Sequence, residues 1–275
     1  MNKLIEKVVA LALAEDVGTG DVSADLLPSS FVRGSIISRE TAVICGIDYV
    51  NEAFHQIDPN TTLDWKVEDS DQVNKNQLLC EIQGEAAPIV AAERVALNFL
   101  QTLSATATQT RFLVDKISDT KAKILDTRKT IPGLRDGQKY AVRCGGGTNH
   151  RMGLYDCVMI KENHLASLES IEKAISLAKY KHPKLPVIVE VEDLHQLNEA
   201  LASQGIKRIL CDNFSLADLS KAVKQCAGKT PLEASGNIDE YNIHDVAKTG
   251  VDFISIGAIT KHIKAIDLSL ILDIA

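Results

Sequence analysis

Apolar and polar positions in the second half of the chain keep a regular beat. From about Lys121, short β-rich runs (KILDT, CVMIKENH, PVIVEVED, RILCDN, PLEASG and FISIG) each end on polar or small residues. Between them, LESIEKAISLAKYK, DLHQLNEALASQ, SLADLSKAVKQCA and DEYNIHDVAKTG repeat apolar residues three and four apart, the period of a helix with one buried face. The repeating unit is strand then helix, which builds a parallel sheet, either an α/β barrel or an open doubly wound sheet. Polar residues close many of the strands instead of gathering at one switch point, so the barrel is the expected form.

The first hundred residues lack that beat. An amphipathic helix over Lys3–Ala14 leads into the loop EDVGTGD, followed by strand-like GSIISRE, TAVICG and QLLCEIQG with a helical YVNEAFHQI among them, an α+β pattern. The halves are joined by PIVAAERVALNFLQTLSATATQTRFLVDKIS, about eight helical turns. From Val95 to Thr110 this stretch has no charged residue. A solvated helix face carries Lys and Glu, so the helix is expected to be buried on most sides, some of it by another subunit. Arg94 opens it, on one polar stripe with Asn98, Gln101 and Thr108, and by itself reads as a salt bridge to a neighbouring acid. The expected division is an N-terminal domain over 1–115, long helix included, and a barrel domain over 116–275 with a C-terminal helix placed to pack back on the first domain.

Composition narrows the function classes. At 275 residues and 45% hydrophobic, the chain can fill one large core or two modest ones. A net charge of −7 argues against nucleic acid, which selects a basic surface. The run VVALALA from Val8 is too short to cross a bilayer and has no cleavage pattern, so neither export nor membrane attachment is expected. Six cysteines show no C-x-x-C pair and no zinc-like spacing, and several lie in apolar runs, as buried thiols of a reducing, cytoplasmic setting do.

Charge is unevenly spread. Between Asp126 and Glu162 there are seven Lys or Arg against four acids, although the whole chain is acidic. In a barrel, Arg128 and Lys129 after KIL and Lys161 after CVM project from one mouth. Gly145, Gly146 and Gly147 lie between those strand ends. Alone they read as a flexible loop, but beside cations consecutive amides can form an anion nest. Glu190 and Asp212 close the next two strands, and EASG and SIGA put small residues at the last two, where barrels often hold phosphate. Taken together, these features predict an anionic, phosphorylated substrate gripped by cations, with carboxylates left for hydroxyls or a divalent ion.

The stretch LDTRKTIPGLRDGQKYAVRCGGGTNHRMGLYDCVMIKENH resembles the signature of the quinolinate phosphoribosyltransferases. The match runs nearly end to end, through EDVGTGDVS, ERVALNFLQTLS, VEVE, CDNF, EASGNI and AIDLSL. The resemblance implies a type II phosphoribosyltransferase fold, an N-terminal α/β sandwich followed by an incomplete TIM-like α/β barrel, and a homodimer with shared active sites. It also implies the reaction of quinolinate and phosphoribosyl pyrophosphate, with Mg²⁺, to nicotinate mononucleotide, pyrophosphate and carbon dioxide. By the same resemblance Arg128, His150 and Arg151, with Arg94 from the neighbouring subunit, bind the quinolinate carboxylates. Lys129 and Lys161 line that pocket as catalytic cations. Glu190 and Asp212 face ribose and metal, and Ser235, Gly236 and Gly257 form the 5′-phosphate site. Three departures bear on this: Asn237 where a glycine is common, Ala105 for a usual glycine, and Lys261–His262 for a usual His-Ser pair. A paralogue acting on another anion, or a non-catalytic ligand-binding barrel, are the rival readings. Retention of the Arg94, Arg128, His150 and Arg151 set speaks for a dicarboxylate, and Lys161 with both acids speaks for catalysis.

Overall fold

The computed structural model describes residues 3–168 and 170–273. Its first stretch contains helix α1 (Lys3–Asp16), strands β1 (Phe31–Ser38) and β2 (Ala42–Val43), α2 (Ile47–Ile57), β3 (Thr62–Trp65), β4 (Gln72–Val73), β5 (Leu78–Glu85) and the long α3 (Ala86–Lys116). There follow β6 (Lys123–Leu125), α4 (Arg135–Cys144), β7 (Val158–Ile160), α5 (Glu162–Leu168), α6 (Ile171–Lys181), β8 (Val187–Val191), α7 (Leu194–Ala202), β9 (Arg208–Asp212) and α8 (Leu216–Cys226). The last are β10 (Leu232–Ser235), α9 (Ile243–Lys248), β11 (Phe253–Ser255), α10 (Ala258–Lys261) and β12 (Leu268–Asp273). Two compact units result: residues 1–111 with 131–146 and 262–275, and residues 112–130 with 147–261. The linear division at 115/116 had assigned 131–146 and 262–275 to the second domain. Glu169, inside a stretch expected to be helical, lies outside the described residues.

The first unit has an antiparallel sheet in the order β12-β1-β5-β3 and a small β2-β4 pair. Its last strand corrects an expectation, because residues 268–273 form no helix. They pair with β1 from Arg33↔Asp273 to Ser38↔Leu268. Leu268, Leu270 and Leu272 alternate onto the face that packs on the unit's core, a period of two that suits a half-buried strand. The core also takes Val95, Leu97, Leu100 and Leu103 of α3. Where a solvated helix would carry charge, α3 carries hydroxyls that cap its neighbours. Ser104 Oγ accepts the Cys45 N–H at 3.0 Å, and Thr108 Oγ1 accepts the Val43 N–H at 2.8 Å. The uncharged run is thus accounted for largely within its own unit.

The triple glycine also differs from expectation. Helix α4 ends at Cys144, and the Gly145 N–H bonds the Ala141 carbonyl at 2.9 Å. A Cβ on Gly145 would stand 2.4 Å from the Ala107 carbonyl oxygen and 2.5 Å from Thr110 Cβ, and Gly146 has φ +88°. These glycines permit close packing on α3 and terminate a helix, and they form no anion nest. Three of the seven cations counted above, Arg135, Lys139 and Arg143, lie on α4, with Lys139 fully buried. They therefore belong to the first unit and not to a barrel mouth.

The second unit is the six-stranded parallel sheet β6-β11-β10-β9-β8-β7. Chain neighbours from β7 to β11 are sheet neighbours, and β6 joins beyond β11, as in a barrel that has not closed between its first and second strands. The chain between those two strands leaves the unit as residues 131–146. Strands β8 and β9 are buried along most of their length, which is why they read as unbroken apolar runs. Helices α6, α7 and α8 start where Ser170, Asp193 and Ser215 accept a backbone N–H three residues on, from Lys173, Gln196 and Asp218, each an N-cap.

Candidate active site

All six parallel strands deliver polar groups to one end of the sheet, around a cavity of about 480 Å³. The end of β6 is held by Asp126, which is fully buried. Its carboxylate accepts the His150 N–H at 2.9 Å and the Asn149 side-chain amide at 2.5 Å. This fastens the His150–Arg151 loop to the strand that carries Arg128 and Lys129. Thr127 Oγ1 accepts the Lys129 N–H at 3.1 Å, and Thr260 donates to the Lys129 carbonyl at 2.9 Å. Gly257 lies against Lys129, where a Cβ would come within 2.8 Å of its Cδ.

At the end of β7, the Lys161 ammonium pairs with the Glu190 carboxylate at the end of β8. Asp212 closes β9, where its carboxylate accepts the Asn213 side-chain amide at 2.9 Å. Asn213 in turn donates its backbone N–H to the Ser235 carbonyl at 2.8 Å. Gly236 follows with φ +94°, and a Cβ there would lie 2.1 Å from Asn213 Oδ1, so only glycine fits. Gly236 lines a second cavity, of about 280 Å³, together with Ser235, Asn213 and Asn237.

A charge cluster lies in the cavity wall. Glu233, in the middle of β10, is fully buried. Its Oε2 is 2.6 Å from Arg208 Nε and 3.5 Å from His150 Nε2. These are close charge contacts without the alignment of good hydrogen bonds. Burial pushes the Glu233 carboxyl up, but His150, Arg208 and Ser255 outweigh it and hold it below its ordinary value. Arg208 also stacks on the Phe253 ring at 4.8 Å. On the other side of the imidazole, Nδ1 accepts the Arg151 N–H at 2.7 Å. An acceptor at Nδ1 puts the ring proton on Nε2, facing Glu233. His150 therefore has a fixed tautomer and orientation.

The residues anticipated from sequence divide cleanly. Arg128, Lys129, His150, Arg151, Lys161, Glu190, Asp212 and Ser235 line the larger cavity, Gly236 the smaller, and Gly257 backs Lys129. Arg94 is in the first unit, exposed, with its guanidinium 3.7 Å from Glu93. Sequence reasoning missed Asp126, Arg208 and Glu233. The signal was available for Glu233, because an acid inside a buried parallel strand must have a partner. Among the described residues no third His, Cys, Asp or Glu ligand converges with Glu190 and Asp212. With Arg208 matched to Glu233, four cations face two carboxylates, and the cavity is built for an anion.

Comparisons with known proteins bear on the whole chain. Residues 21–104 match the quinolinate phosphoribosyl transferase N-terminal domain, and residues 106–271 match the C-terminal domain. The nicotinate-nucleotide pyrophosphorylase [carboxylating] of Arabidopsis thaliana, a chloroplastic protein, is 38% identical over 98% of this chain and 83% of its own length. The probable nicotinate-nucleotide pyrophosphorylase [carboxylating] of Bacillus subtilis is 38% identical over 98% of this chain and 94% of its own. Among solved structures, the nicotinate-nucleotide pyrophosphorylase of Francisella tularensis superposes with a TM-score of 0.97 at 49% identity, covering 99% of this chain and 97% of that one.

Proposed function

The chain belongs to the quinolinate phosphoribosyltransferase family, and from that premise we propose that it transfers the phosphoribosyl group of phosphoribosyl pyrophosphate to the ring nitrogen of quinolinate. Loss of carbon dioxide then gives nicotinate mononucleotide, with pyrophosphate released, a step of NAD biosynthesis. One observation carries this reading: a single cavity has Arg128, Lys129, Arg151 and Lys161 on the ends of the two edge strands β6 and β7 and the loop between them, and Glu190 and Asp212 at the ends of β8 and β9. A dicarboxylate needs the first group and a sugar that becomes cationic needs the second.

The two guanidinium forks suit the quinolinate carboxylates. His150 acts beside them as a wall of fixed orientation, because its Nδ1 is taken by the Arg151 N–H and its Nε2 faces Glu233. Cleavage at ribose C1 builds oxocarbenium character, which the charges of Glu190 and Asp212 stabilise more in the transition state than in the ground state. Lys161 holds Glu190 until substrate arrives, then faces the reacting centre. After ribosylation the pyridinium nitrogen accepts the electron pair left by carbon dioxide, so no general base is required.

Two carboxylates without a third ligand fit Mg²⁺ that is held mostly by phosphate oxygens and water. Glu190 and Asp212 would hold it, and when bound it neutralises pyrophosphate charge. Ser235, Gly236 and Gly257 would receive the 5′-phosphate. Arg94 would serve the neighbouring subunit of a homodimer, and a cytoplasmic setting suits six unpaired cysteines. The test is carboxyl-labelled quinolinate with phosphoribosyl pyrophosphate and Mg²⁺. Labelled carbon dioxide equal to the nicotinate mononucleotide formed is expected, whereas efficient product formation from nicotinate would overturn the assignment.

A further inference from the structure

Outside the cavity, one cluster in the first unit has no part in the reaction. Cys45, Asp69 and Cys144 offer two sulfurs and a carboxylate oxygen within 4.8 Å of one another. The sequence gives no hint of it, since the cysteines lie far apart and in no motif. Asp69 suggests a metal ligand, but its carboxylate is already committed. Oδ1 accepts the Gly46 and Ile47 N–H groups at 2.9 and 3.2 Å, capping α2, and Tyr140 also bonds it. The sulfurs are left to each other.

The two sulfurs lie within 4.8 Å of each other, and Cys45, Ser70 and Tyr140 beside Cys144 hold its thiol below its ordinary value, against burial and the Asp69 charge. Cys144 is thus the more acidic of the two thiols, since the same contact raises Cys45. Cys45 is fixed, because Ser104 accepts its N–H and donates to its carbonyl. Cys144 is 5% exposed, and Ser70 and Tyr140 next to it are exposed. We propose that Cys45 and Cys144 form an oxidisable dithiol site for a small hydroperoxide, with Cys144 as the attacking sulfur and Cys45 as the resolving one.

The chemistry balances with hydrogen peroxide as the oxidant. Cys144 thiolate attacks one peroxide oxygen, the O–O bond breaks, and Cys144 becomes a sulfenic acid while hydroxide takes a proton to leave as water. Cys45 sulfur then attacks the Cys144 sulfur, forming the S–S bond and releasing the sulfenic oxygen as a second water. Two thiols lose two electrons and the peroxide gains them. The other cysteines serve as internal controls. Burial pushes Cys80 and Cys211 up to about 12 and raises Cys157, whereas the donors around Cys144 lower it to about 6. In a reducing compartment such a bond is transient, as redox-sensing pairs are.

The test uses the native full-length protein, treated with about one equivalent of hydrogen peroxide and then alkylated and digested for mass spectrometry. A Cys45–Cys144 cross-linked peptide that disappears on adding dithiothreitol is expected, with the other four cysteines alkylated as thiols. In Cys45→Ser, dimedone should trap a sulfenic acid on Cys144 at least about ten-fold faster than on any other cysteine. The wild-type measurement stands alone if that variant fails to fold. Over-oxidation of Cys144 without a cross-link, or prior reaction of another cysteine, would overturn the proposal.

Discussion

The two units put buried polarity to different uses. In the cavity wall of the second unit, Glu233 is paired with Arg208 and faces His150 Nε2, and the imidazole is oriented by the Arg151 N–H at its Nδ1. In the first unit, Cys45 and Cys144 lie within 4.8 Å of each other beside a carboxylate that caps α2. Fixed charges orient a substrate site because they cannot rearrange cheaply in a low dielectric. A pair of adjacent thiols leaves room for a change of state. The cavity residues belong to the second unit, while Arg94 belongs to the first.

The largest expected effect tests whether the first unit is frame only. Arg94→Ala and Lys161→Ala should each lose nearly all activity, and mixed dimers of the two should recover toward half, since one site then carries both defects and the other neither. Inactive mixed dimers, verified by mass, would return Arg94 to its contact with Glu93. Next in size, Glu233→Ala should cost about 3–5 kcal/mol in urea unfolding, because it leaves Arg208 buried without its partner.

Because Glu233 titrates below its ordinary value in the folded chain, the stability it contributes is complete above that ordinary value. It is lost as pH falls through the lowered one. Glu233→Gln should therefore flatten the acid limb of stability against pH, and an unchanged limb would mean the carboxylate is not held by the pair. Smaller again, Cys45→Ser should cost about 1 kcal/mol, the scale of one replaced neutral hydrogen bond. A loss as large as that of Glu233→Ala would erase the contrast between the clusters.

The smallest effect belongs to Asn237, whose φ of +50° is one that glycine adopts freely and asparagine tolerates. Asn237→Gly gives up the bond to Asn213 at 3.1 Å and relieves the backbone, so stability should stay within about 1 kcal/mol. The departure from the family's usual glycine is thereby explained locally.

What the sequence disclosed follows from which interactions are local. Strands β8 and β9 were legible because they are buried along most of their length and lie between helices that carry their own caps. The polar residues at the ends of β6, β7, β8 and β9 led directly to Arg128, Lys161, Glu190 and Asp212. Non-local partnerships left no such trace. The pairing of β1 with β12, the return of 131–146 to the first unit and the packing of Gly145 on Ala107 each depend on residues distant in the chain. Charge counting failed at α4 for the same reason, since Arg135, Lys139 and Arg143 share a segment with the cavity cations but not a unit. The orientation of His150 is invisible without the Arg151 N–H and Glu233, because Glu233 is distant in the chain.

The strand at 268–273 has a consequence for how the chain is made. Until those residues leave the ribosome, β1 has a bare edge and the first unit's sheet lacks a member, although most of that unit was synthesised long before. The second unit's strands have all emerged by then. Synthesis order is thus inverted relative to completion: the unit begun first is finished last, and the β1 edge stays unpaired until β12 emerges.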